Sequence, residues 1–193
     1  MLGFIKKIKK NLKLIIIILW GCTQSQSYQP KPRGFNKIYL PETNYKVEKI
    51  NDMFSFERNL FSKISINKEL GWINLSYFNN SAEVLITYKK ISSSDHFGKL
   101  LGESFKLISQ HQKKATSIVE TDIITLSGKK AKLIDIRGEV ASPFQFIVSD
   151  STKNFIRTAL YFEKTITSDS LSPVIDYIKT DMLHLLNSIH WNE

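Results

Sequence analysis

Residues 14–20, Leu-Ile-Ile-Ile-Ile-Leu-Trp, lie between a cluster of lysines and the chain's only cysteine, Cys22. Lys6, Lys7, Lys9, Lys10 and Lys13 precede the apolar run. A basic segment followed by a short apolar core is the layout of a signal peptide. The run is too short to cross a bilayer as a helix, which takes about 20 apolar residues. This feature divides the chain before any folding argument begins. Residues 1–21 read as a signal peptide, 22–35 as a lipidated N-terminus with a proline-containing tether, and 36–193 as the folding unit. The competing reading is a short uncleaved membrane helix with an incidental thiol.

Leu19-Trp20-Gly21-Cys22 resembles a bacterial lipobox, with an aliphatic residue three before the cysteine and a small residue directly before it. Trp20 is bulkier than usual for its position. The match implies a diacylglycerol thioether on Cys22 and cleavage after Gly21. Two or three acyl chains, at about 0.8 kcal/mol per buried methylene, give a stable anchor where one gives only reversible binding.

The formal charge of +9 over 193 residues invites a nucleic-acid reading. Five of those lysines lie in the leader, leaving 22 basic and 18 acidic side chains. That balance of +4 concerns solubility and surface affinity. It lacks the dense basic stripe of a nucleic-acid binder, and no nucleic-acid partner is expected. With Cys22 acylated, no thiol remains for a disulfide or a thiolate metal site. A hydrophobic core must hold the domain, and 172 residues suffice for one.

Residues 23–29 are polar and aperiodic. Pro30 and Pro32 then favour an extended path of about 3.1 Å per residue. Lys31 and Arg33 are either solvated linker charges or, for Arg33, a planar fork that docks on an acidic group. Gly34 permits a turn into the first strand.

Alternation predicts strands over 36–50 (broken at Pro41), 54–56, 63–66, 72–78 and 83–89, with a hairpin through Asn79-Asn80-Ser81. The period then changes. Phe97, Leu100, Leu101, Phe105 and Ile108 fall at helical spacing, predicting a helix over 94–112 capped by Ser94 or Asp95. Strands follow at 117–126 and 130–137 around Ser127-Gly128-Lys129, and at 145–149 and 155–162 around a turn at 150–153. The last of these carries apolar bulk on both faces and is expected at the sheet centre. A closing helix starts with Ser172 as cap and Pro173 in its first turn. Its stripe is Val174, Ile175, Ile178, Met182, Leu185, Leu186 and Ile189, with Asp176, Lys179 and Asp181 toward solvent. Hairpin-length links imply an α+β single domain: a largely antiparallel sheet covered by two amphipathic helices, in the order strands, helix, four strands, helix.

No chemistry-bearing motif emerges. His96, His111, His184 and His190 form no metal-ligand spacing, and neither a metal nor a cofactor is expected. No nucleophile elbow, P-loop or dinucleotide fingerprint is present. Ser142, Asp150 and Ser151 read as turn residues, His184 as a hydrogen-bonded packing histidine, and Trp72, Tyr161 and Phe162 as core. Asp122 and Asp135 are placed to face each other across the 127–129 hairpin as solvated carboxylates.

Several segments together resemble the gliding motility lipoprotein GldD family of Bacteroidota. They are Pro30-Lys31-Pro32-Arg33-Gly34-Phe35 after the lipobox, Phe54-Ser55-Phe56-Glu57 and Trp72-Ile73-Asn74. Further on come Ala141-Ser142-Pro143-Phe144-Gln145-Phe146, Asp150-Ser151, Arg157-Thr158-Ala159-Leu160-Tyr161-Phe162 and Asp169-Ser170-Leu171-Ser172-Pro173-Val174-Ile175. Cysteines that the resemblance implies near Asp52 and Gly71 are absent, so no redox-linked pair is expected. The resemblance implies a non-enzymatic envelope lipoprotein required for gliding. It would scaffold or stabilise other motility proteins linked to type IX secretion. Thr23-Gln24-Ser25 lacks the acidic residues associated with surface export in that phylum, which implies a periplasm-facing domain. The candidate interaction residues are then Lys31, Pro32, Arg33, Gly34, Trp72, Ser142, Pro143, Gln145, Asp150 and Arg157, beside the lipidation site Cys22. The alternative is a periplasmic ligand-binding or cell-wall-binding lipoprotein.

Overall fold

The computed structural model describes residues 38–163, 166–167 and 171–192. They fall within one compact unit, Asn36–Glu193. Its strands are β1 (Tyr45–Ile50), β2 (Phe54–Asn59), β3 (Lys63–Asn67), β4 (Trp72–Tyr77), β5 (Ala82–Lys90), β6 (Ala115–Ile124), β7 (Lys130–Val140), β8 (Phe144–Ser149), β9 (Asn154–Phe162), β10 (Ile166–Thr167) and β11 (His190–Trp191). Helix α1 spans Ser94–Ser109 and α2 spans Ser172–Ser188. The main sheet runs β10-β7-β8-β9-β5-β4-β3, with β6 also paired to β7, and β1-β2-β11 form a second sheet. The α+β class and the expected element order are those observed. The second sheet is an addition. Phe54 and Phe56 point into the core, where Phe54 stacks on Tyr88 at 5.4 Å, so β2 serves as cover rather than as an extension of the main sheet.

Strand β9 shows why this sequence makes a covered sheet. It pairs with β8 on one side and β5 on the other. Its Ile156, Leu160 and Phe162 enter one apolar cluster and its Phe155 the other. The first cluster gathers β4, β5, β8 and the second sheet against α2, through Ile178, Met182 and Leu186. The second places Leu100 and Ile108 of α1 on Ile134, Ile136, Ile147 and Phe155. The helices therefore cover opposite faces, as period-two strands with apolar residues on both sides require.

Several boundaries differ from expectation for local reasons. The first strand begins at Tyr45, beyond Pro41, because proline supplies no ladder donor. The cap of α1 is Ser93, whose hydroxyl accepts from His96 N at 3.1 Å, not Ser94 or Asp95. The helix ends at Ser109 and continues as a short 3-10 turn over Gln110–Lys113. Ser172 does not cap α2. It is the first helical residue, Leu171 precedes it, and its hydroxyl donates to Asp176 at 3.1 Å. Between β4 and β5 the left-handed residues are Phe78 and Asn79, one position earlier than the Asn79-Asn80-Ser81 reading. The Phe78 ring packs on Phe61 and Tyr177, which sets where the chain turns. Gly138 is a backbone requirement: with φ of 123°, an added Cβ would lie 2.5 Å from Lys114 O, beside the β6 register shift between Ala115 and Ser117.

Two substitutions separate core from surface. Phe146→Ala, at a fully buried ring of the first cluster, is expected to cost about 3–5 kcal/mol in denaturant unfolding. Trp72→Ala is expected to cost below about 1 kcal/mol in the same measurement.

Candidate interaction surface

Cys22, Lys31, Pro32, Arg33 and Gly34 lie outside the described residues. The remaining candidates separate into a shared sheet face and a turn. Trp72 is opposite Thr87, and Thr87 is opposite Arg157 in the next strand pair. Alternate pleating puts all three on the face that α1 partly covers. The apolar cluster under α1 draws on β7, β8 and β9, while Trp72, Asn74 and Ser76 of β4 with Leu85 and Thr87 of β5 stay partly or wholly accessible. Trp72 is 49% exposed, which corrects its reading as core. Its strand is buried on the α2 side only, through Ile73, Leu75 and Tyr77. Tyr161 is half-buried, whereas Phe162 is core as expected.

Arg157 joins this surface to the interior. Its Nη2 donates to Gln145 Oε1 at 2.6 Å, and Gln145 Nε2 donates to Ser142 Oγ at 3.0 Å. Ser142, Pro143 and Gln145 are buried, and Ser142 and Gln145 hold Arg157 from beneath. The carbonyls around them join strands: Ile136 N donates to Pro143 O at 2.8 Å and Phe162 N to Ala141 O at 2.9 Å. His111 lies beside Tyr161, with ring centroids 6.3 Å apart. Burial lowers the His111 pKa, and the Arg157 charge lowers it further, so the imidazole is held toward its neutral form. The surface is a polar and aromatic strip with one fixed guanidinium.

Asp150 organises the β8–β9 turn. Its Oδ1 accepts from the backbone N–H of Thr152, Lys153 and Asn154 at 2.9, 2.7 and 2.9 Å, and its Oδ2 from Asn154 Nδ2 at 2.7 Å. Burial raises its pKa, but these donors outweigh burial and hold the carboxyl at about 2. Ser151, at φ 65°, completes the turn. These bonds fix the turn from which β9 starts.

A polar network escaped the sequence reading. Asp181 is buried at 3% exposure, not turned to solvent. Its carboxylate accepts from Tyr45 OH at 2.8 Å and from Asn59 Nδ2 at 2.8 Å, and Asn59 also donates to Tyr177 OH at 2.9 Å. Burial raises the Asp181 pKa, opposed by the hydrogen bonds from Asn59, Tyr45 and Tyr77. Burial beside that carboxylate pushes Tyr45 up to about 12. His184 stacks on Tyr45 at 3.6 Å and pairs with Glu57 at 2.6 Å, a hydrogen-bonded packing histidine as expected. Its place off the apolar stripe of α2 predicted solvent; the arrival of β1 and β2 beside α2 encloses it instead. Asp122 and Asp135 do not face each other. Asp122 is opposite Lys132 and bonds it at 2.8 Å, whereas Asp135 is opposite Val119 and pairs with Lys179 of α2.

A cavity of about 430 Å³ opens between α1 and the β6–β7 hairpin. Phe97, Leu101, Ile123, Ile124, Ala131 and Ile147 line its apolar side. Among the described residues, no group of three or more His, Cys, Asp or Glu side chains is placed to hold a metal ion, and no helix is long and apolar enough to cross a membrane.

In a comparison with known protein families, residues 25–191 match the family described as gliding motility lipoprotein GldD. A search of curated proteins returns no match.

Asp150→Ala is expected to cost about 1–2 kcal/mol at neutral pH, with solvent screening of this half-exposed turn included. Because the folded pKa lies below the unfolded one, that stability is present above about pH 4 and disappears toward about pH 2. Thermal melts of the two proteins should therefore converge as the pH falls through that window. Asp181→Ala removes the acceptor of the Tyr45 hydroxyl and one of the two acceptors of the Asn59 amide, and is expected to cost about 1–3 kcal/mol in equilibrium unfolding.

Proposed function

Because this chain belongs to the gliding motility lipoprotein GldD family, a membrane-associated role in gliding motility follows, and we propose that it acts there as a non-catalytic assembly or stabilising component. In this reading Cys22 carries the acyl chains, palmitate among them. The domain faces the periplasm of a Bacteroidota cell and engages proteins of the motility and type IX secretion machinery. The observation that carries the proposal is the half-uncovered sheet face. There the exposed Trp72 stands in register with Thr87 and Arg157, and Arg157 is fixed by Gln145 and Ser142. Accessible tryptophan and oriented arginine are the side chains that most often dominate protein interfaces. A short lipid tether raises the local concentration of such a face toward membrane-bound partners. Residues 31–34 of the tether supply a second candidate contact, with Arg33 as its fork-shaped donor.

A second reading, a ligand-binding or cell-wall-binding lipoprotein, draws on the 430 Å³ cavity. Its size and apolar lining are within the range of small-molecule sites. It competes with the assembly reading and predicts that blocking the cavity, not the Trp72 face, abolishes function.

Complementation of a deletion strain tests the assembly reading. Cys22→Ala is expected to leave the protein out of the membrane fraction and to abolish gliding and secretion. Trp72→Ala combined with Arg157→Ala is expected to keep the protein folded and membrane-bound while photo-crosslinking from residue 74 loses its captured partner. Full motility and secretion from a soluble Cys22→Ala protein would overturn the proposal.

A further inference from the structure

The β6–β7 hairpin ends in a tip that holds aliphatic side chains in water. Leu126 is 92% exposed and Ile124 is 74% exposed. A lone exposed leucine on a loose loop carries no message. This one is mounted on a stitched turn. Thr125 N donates to Lys129 O at 2.8 Å, Gly128 N to Thr125 O at 2.9 Å and Lys129 N to Thr125 Oγ1 at 2.9 Å. Leu126 N also donates to Asn187 Oδ1 of α2 at 3.0 Å. Thr125 is buried beneath its neighbours. The turn is therefore bound to the body of the domain, and Leu126 projects from it.

Charges of both signs flank these aliphatic groups, with Lys129, Lys130 and Lys132 outnumbering Glu120 and Asp122. Lys132 is engaged by Asp122 at 2.8 Å and Glu120 at 3.5 Å. Lys129 Nζ donates to Ser127 Oγ at 2.9 Å, and Lys130 pairs with no acid among the described residues. Aliphatic side chains beside lysines match the interfacial zone of a bilayer, where the methyl groups meet acyl chains and the ammonium groups meet phosphates. Anionic lipid adds an attraction of about 1 kcal/mol per lysine at the surface. An apolar pocket on a protein would receive Leu126 equally well, but the flanking charge favours the lipid surface.

The geometry points to residues 124–130 as a second membrane contact, through which the domain lies on a phospholipid surface in one orientation. This rests on the lipid anchor at Cys22, which brings the domain to a bilayer. The tip alone adds orientation rather than anchorage, since two aliphatic side chains bury far less than one acyl chain.

The test uses the full lipidated protein in vesicles of phosphatidylethanolamine with phosphatidylglycerol. Acylation occupies the only native thiol, so Leu126→Cys offers one site for an environment-sensitive fluorophore. Ser65→Cys, on the exposed edge strand β3, is the control. Quenching by aqueous iodide is expected to fall several-fold at 126 relative to 65, with quenching by a lipid-borne nitroxide changing in the opposite sense. Replacing phosphatidylglycerol by phosphatidylcholine is expected to weaken the difference. A label at Ser127→Cys should return to water when Ile124→Ser, Leu126→Ser and Lys130→Glu are combined. Equal iodide access at 126 and 65 in these protein-free bilayers would overturn the inference, and is the outcome expected if the tip serves a protein partner. Failure of the anchor would show differently: the chain would not float with the vesicles, and Cys22 itself would take the label.

Discussion

The packing of β9 into two cores at once is the constraint from which the rest of the structure follows. A strand buried on both faces must have neighbours on both edges and a covering layer above and below. β8 and β5 supply the edges. On one side α1 covers Phe155. On the other, α2 and the sheet β1-β2-β11 cover Ile156, Leu160 and Phe162. The second sheet is needed because one helix is too narrow for the width of β4, β5, β8 and β9. Phe54 and Phe56 fill the remaining area, and Trp191 of β11 closes over Phe54 at 6.3 Å.

Polar groups inside this layered body hold elements in register. Asp150 gathers three backbone donors and sets where β9 begins. The link at 141–143 supplies carbonyls to β7 and β9 while Ser142 steadies Gln145. Asp181 draws β1, β2 and α2 together through Tyr45 and Asn59. Lys179 reaches from α2 to Asp135 on β7 and lies 4.7 Å over the Phe144 ring. A buried carboxylate with several donors gives geometric definition more than net stability, since desolvation opposes much of the hydrogen-bond gain.

The same layering leaves two parts of the domain open. α1 covers β7, β8, β9 and part of β6, so β4 and β5 stay accessible on that face around Trp72 and Thr87. The β6–β7 hairpin extends beyond the covered area and carries Ile124 and Leu126 into water. One open region is aromatic and polar with a fixed guanidinium; the other is aliphatic and cationic. Those different chemistries suit a protein surface and a lipid surface respectively, and the proposed assembly role at a membrane would use both.

The α+β class, the order of elements and the central place of β9 were legible in the chain alone, because each rests on local periodicity: helical spacing at Phe97–Ile108 and 174–189, and double-sided apolar bulk over 155–162. Family resemblance drew attention to Ser142, Gln145 and Arg157, yet not to their hydrogen-bonded sequence, which exists only once β8 and β9 pair. Asp181, the exposure of Trp72 and the separation of Asp122 from Asp135 were decided by tertiary structure. A helical wheel records the angle of a side chain about its own axis. Whether that angle meets water or another element depends on which distant strands arrive there, and this is set by long-range packing.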